Sequence, residues 1–77
     1  MFFEELETIR KLAEAAAERE GVPFYILRDP MRRHKAYTAV SSAGFGLPPG
    51  LFIEDKINPR NERVEIEPPE KNSTNGF

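Results

Sequence analysis

Gly21-Val22-Pro23-Phe24-Tyr25-Ile26-Leu27 is where the chain changes period. Upstream, apolar residues recur every three or four positions. From Val22 they run consecutively, so that Val22, Phe24 and Ile26 would face one way and Pro23, Tyr25 and Leu27 the other. Both sets are mostly apolar, the mark of a strand buried on both faces or central in its sheet. Pro23 is tolerated because it stands at the start of the run. A helix must therefore end before this segment, and a sheet must grow around it.

The residues upstream supply that helix. At 100° per residue, Phe2, Leu6, Ile9, Ala13 and Ala16 share one stripe, flanked by Leu12 and Ala17 and opposed by Glu4, Glu7, Lys11, Glu14 and Glu18. Acids near the N-terminus suit the helix dipole, and Glu7 and Lys11 stand i, i+4 in the favourable order. Ala15-Ala16-Ala17 favours helix and leaves room for close approach, while Gly21 reads as the C-terminal stop. These signals predict a helix over 2–20.

Downstream, strands are predicted over about 22–28, 35–42, 51–54 and 63–67. Asp29 to His34 would form the loop of a first hairpin, and Asn58-Pro59-Arg60-Asn61 the turn of a second. The expected architecture is α+β: an N-terminal amphipathic helix packed on a small four-stranded antiparallel sheet of two β-hairpins. Residues 1–68 would be the single domain and 69–77, after Pro68-Pro69, a flexible tail with little to bury.

Composition narrows the function classes. The chain has 77 residues and 8.8 kDa, near the lower limit of what folds alone, so little material is left over to wall an active-site cleft. It contains no cysteine, which excludes disulfides and thiolate metal sites. The acidic start lacks the features of a secretory signal, and no run approaches a membrane helix, so the expectation is a soluble cytoplasmic protein without membrane contact.

Individual motifs weigh against catalysis. His34, the one histidine, stands among Arg32, Arg33 and Lys35 with no acid placed in sequence to orient it. Ser41-Ser42 lacks the context of a nucleophile on a turn. Gly44-Phe45-Gly46-Leu47-Pro48-Pro49-Gly50 is followed by no helix that could cradle a phosphate. The acids of 54–67 lack both the alternation of a calcium loop and a cleft to work in, and Asn72-Ser73-Thr74 reads as a chance glycosylation match. No enzyme, cofactor or metal is expected.

Charge is the remaining signal. The net charge of −2 conceals blocks of −3 over 1–20, +3 over 28–35 and −3 over 54–70. A basic hairpin tip on an acidic body fits a non-catalytic protein–protein interaction module, namely an inhibitor, accessory factor or minor subunit of an assembly, such as phages and plasmids carry. The expected contact residues are Arg28, Arg32, Arg33, Lys35 and Tyr37 at the tip, with Phe45 and Leu47 on the Gly/Pro loop as a second surface. The partner would be a protein with an acidic surface or a second copy of the chain. The alternative is nucleic-acid binding, with Tyr25 and Tyr37 flanking the same basic tip.

Overall fold

A computed structural model describes residues 1–60 of the chain. They form α1 (Leu6–Glu20), β1 (Phe24–Arg28), β2 (Tyr37–Ser41) and β3 (Phe52–Ile57). Ile9, Ala13, Ala16 and Ala17 are the buried residues of α1, and they lie on Phe24 and Ile26 of β1. Three alanines in four buried positions let the helix backbone approach the sheet closely, with Leu6, Val22, Tyr37, Ala39 and Ile57 packed around the contact. Gly21 ends the helix in the left-handed region (φ 73°), where its N–H donates to the Ala17 carbonyl at 2.8 Å.

The helix starts at Leu6, four residues later than the periodicity predicts. Glu4 is drawn into the sheet instead: its N–H donates to the Tyr37 carbonyl at 2.8 Å, and the Tyr37 N–H donates back at 2.9 Å. This antiparallel bridge lies on the outer edge of β2 and holds residues before Glu5 out of the helix. Phe2, expected on the buried stripe, is consequently 60% exposed.

The sheet corrects a second expectation. It has three antiparallel strands in the order β2-β1-β3, rather than four strands in two successive hairpins. The segment expected to pair over 51–54 with 63–67 runs longer, to Ile57, and pairs with β1. The predicted fourth strand at 63–67 and the tail at 69–77 lie outside the described residues. The physical reason is in β1 itself. Phe24, Ile26 and Leu27 are all buried, and a strand apolar on both faces is best covered with a neighbour on each side. The connection 42–51 carries the chain past β1 to its second edge, beginning with the Ser42 N–H donating to the Pro23 carbonyl at 3.0 Å.

The β1–β3 ladder contains a bulge. Ile26 faces Asp55 and Leu27 faces Ile53, so Glu54 has no residue opposite it. The extra residue puts Ile53 beside Leu27 on the face away from the helix, and Asp55 on the helix side. There Arg10 Nη1 of α1 donates to Asp55 Oδ2 at 2.7 Å, and Asp55 Oδ1 accepts the Lys56 N–H at 2.8 Å.

The Arg10 guanidinium, aided by that N–H, holds the Asp55 carboxyl below the usual aspartate range. A carboxyl that ionises more readily when folded adds stability above its unfolded pKa, about 3.9, and that stability drains away as the pH falls through the lower folded value. Wild type should therefore melt above Asp55→Asn at pH 7, with the difference closing as the pH falls below about 4. Because the pair is half-exposed, the gap should be modest and should shrink in 1 M salt. Thermal melts of both proteins across that range check this, and a gap independent of pH would refute it.

Candidate functional site

The β1–β2 loop is built by Asp29. Its Oδ1 accepts the Met31 N–H at 3.0 Å, its backbone carbonyl accepts the Arg32 N–H at 3.1 Å, and its Oδ2 accepts from Arg32 Nε at 3.3 Å. Asp29-Pro30 thus turns the chain through a side-chain-closed turn. The Asp29 N–H donating to the Ala36 carbonyl at 2.8 Å continues the ladder to the loop's base. Lys35 completes the return with φ 48°, the one non-glycine residue in the left-handed region among the described residues.

The N-terminal segment lies against this tip. Arg32 stacks on the Phe3 ring, its Cζ 4.1 Å from the centroid. The Lys35 N–H donates to Glu5 Oε2 at 2.9 Å, and Lys35 Nζ stands 4.0 Å from Glu4 Oε2. Glu5 is the N-cap residue of α1, yet its carboxylate makes no capping bond and reaches across to Lys35. At the end of β1, Arg28 Nε lies 3.6 Å from Glu54 Oε1, the bulge residue.

Three of the four expected tip cations therefore sit beside carboxylates: Arg28 with Glu54, Arg32 with Asp29, and Lys35 with Glu4 and Glu5. Arg33 has no ion-pair partner among the described residues, and it shares the exposed end of the loop with Met31 and His34. Met31 is 87% exposed, the most exposed large apolar side chain of the described residues. Tyr37 stands opposite Arg28, half-buried against the core, and contributes its backbone to the Glu4 bridge.

Phe45 and Leu47 are not brought to the tip. Phe45 packs on Tyr25, ring centroids 4.6 Å apart, three residues back along β1 from Arg28 and so about 10 Å away. Tyr25 alternates with Phe24 and Ile26, which places this contact on the sheet face opposite α1. Leu47, two residues further along the connection, is 48% exposed. Ser41, the last residue of β2, accepts the Ala43 N–H on Oγ at 3.1 Å.

Sequence reasoning missed Met31 and the Phe3-Glu4-Glu5 segment. The acidic and basic blocks carried the only available signal, since their opposite signs invite contact. The described residues also form two open grooves. One, about 530 Å³, runs between α1 and β3 past Lys11, Glu18, Lys56 and Arg60, with Arg60 Nη1 3.1 Å from Glu18 Oε2. The other, about 350 Å³ and apolar, lies between Phe2, Leu12, Ala16 and Ala39.

Among the described residues no cluster of three or more His, Asp or Glu side chains is placed to hold a metal ion, and no helix is long and apolar enough to cross a membrane. Comparison of the chain with known protein families, with curated proteins and with solved structures finds no match.

Proposed function

We propose that the chain is a non-catalytic protein–protein interaction module, an inhibitor, accessory factor or minor subunit, whose contact surface is the β1–β2 tip. The observation that carries this reading is Met31, exposed on a loop whose turn is held by Asp29 and whose base is held by the ladder, with Arg33 beside it. An apolar side chain presented on a preorganised loop can fill a pocket with little further ordering cost, and the neighbouring cation can steer an acidic partner. Leu47, exposed on the connection 42–51, is a second contact candidate. The absence of cysteine suits action in the cytoplasm.

The ion pairs at Arg28, Arg32 and Lys35 weigh against nucleic-acid binding. Phosphates would have to displace carboxylates already in place, and at the tip, among the described residues, Arg33 alone is left for a salt-sensitive backbone contact.

The test is capture from the native host with wild type and with Met31→Asp/Arg33→Glu. Both residues are exposed, so the double variant should melt within about 8 °C of wild type, as two surface changes of about 0.5 kcal/mol or less each do. It should lose the protein that wild type retains by at least tenfold. Equal capture by both proteins would refute the tip as the contact. Retention on heparin that collapses between 50 and 200 mM salt would favour the nucleic-acid alternative instead.

A further inference from the structure

We propose that the outer edge of β2, with Arg32 and Lys35, is a binding site for an extended segment carrying an aromatic residue followed by two carboxylates, and that the protein's own Phe3-Glu4-Glu5 fills it in cis. The inference rests on the reading of the tip as a contact surface and specifies what that surface recognises.

The resident segment behaves as a bound ligand does. Glu4 adds to the β2 edge through a reciprocal pair of backbone hydrogen bonds, 2.8 and 2.9 Å, the way a peptide strand docks on a sheet. On one side the Phe3 ring lies under the Arg32 guanidinium. On the other the Glu5 carboxylate takes the Lys35 N–H, which the left-handed turn at Lys35 presents to it. Backbone pairing supplies affinity, while the cation over the aromatic ring and the N–H aimed at a carboxylate supply a sequence preference.

The contacts are also confined to the surface. Phe3 and Glu4 are only half-buried and Glu5 is exposed, so the segment can leave without opening the Ile9–Ile26 core. A competing segment from an acidic partner would repeat the same contacts. A second copy of the chain is a poorer donor, because its residues 3–5 run without a linker into a helix docked on its own sheet.

The test is an NMR titration of the isotope-labelled full chain with acetyl-Phe-Phe-Glu-Glu-Leu-amide, and with the same peptide carrying Lys-Lys in place of Glu-Glu. Wild type is compared with Phe3→Ala/Glu4→Lys/Glu5→Lys, in which the resident segment is repelled from Arg32 and Lys35. The acidic peptide should shift the Lys35 and Tyr37 amides of the triple variant, saturating at a concentration at least tenfold below that needed for wild type. The lysine peptide should leave both amides unmoved.

No shift at these residues in a folded triple variant, or equal response to the two peptides, would overturn the proposal. Should the triple variant lose its amide dispersion, wild type decides: shifts at Lys35 and Tyr37 with millimolar acidic peptide alone support the site, and none overturns it. If the peptide fails while Met31→Asp/Arg33→Glu still loses its partner, the edge site falls and the tip reading stands. If the peptide binds while that variant keeps its partner, the edge site stands and the Met31 contact falls.

Discussion

Ile26→Ala is expected to lower Tm by at least about 10 °C. Ile26 is fully buried at the middle of the central strand, beneath α1, with Ala39 opposite it on β2 and Asp55 opposite it on β3. Neither neighbour can swell into the lost volume: Ala39 is small, and Asp55 is held by Arg10. Truncating such a residue costs about 2–5 kcal/mol, from lost transfer energy and the cavity left behind. A domain the size of the 60 described residues has about 3–9 kcal/mol of stability in all, so the variant should stand close to unfolding. Far-UV circular dichroism melts of wild type, Ile26→Ala and the milder Ile26→Val should fall in that order. A drop under about 3 °C for Ile26→Ala would mean that the helix does not rest on this residue.

Ala13→Leu probes the same contact from the opposite side and should cost about 1–3 kcal/mol, or roughly 4–20 °C in Tm. Ala13 is completely buried where α1 meets the sheet, so three extra carbons must push the helix away from Phe24 and Ile26. Ala15→Leu is the control, because Ala15 is exposed on the same helix and has the same propensity change. It should melt within about 4 °C of wild type. Equal losses at the two positions would place the cost in the helix itself and not in its spacing from the sheet.

The helix, the first hairpin and the α+β class were legible because each depends on neighbours in sequence. The 3.6-residue stripe through Ile9, Ala13 and Ala16, the stop at Gly21, and the turn at Asp29-Pro30 are all local. What escaped reading depends on distant partners. The helix loses its first turn to Tyr37, far along the chain, and no periodicity within 1–20 could announce that. The third strand pairs with the centre of the sheet because β1 is apolar on both faces, a property visible in Phe24 to Leu27 whose partner was not.

The charge environment of the candidate site was hidden for the same reason. The +3 of residues 28–35 was summed along the chain, whereas in space Glu4, Glu5 and Glu54 come to stand beside Lys35 and Arg28, and within the loop Asp29 holds Arg32. A segment's formal charge is therefore a poor guide to the field it presents. Arg32, Arg33 and Lys35 are all exposed at the tip, but among the described residues only Arg33 stands there without a carboxylate beside it, next to His34 and Met31.

The strand order also dictates a sequence of events. β2 and β3 never pair with each other; each is joined to the sheet through β1 alone. The β1–β2 pairing closes over the eight residues 29–36, and the β1–β3 pairing over the twenty-three residues 29–51. Chain-closure entropy makes the longer loop about 1 kcal/mol harder to close, so the hairpin forms first and β3 arrives on an existing template. Until it does, one side of the most apolar strand of the described residues presents unpaired N–H and C=O groups beside Ile26 and Leu27. A nascent or briefly opened chain is then most exposed to aggregation at that edge, and β3 is the strand whose arrival ends the hazard.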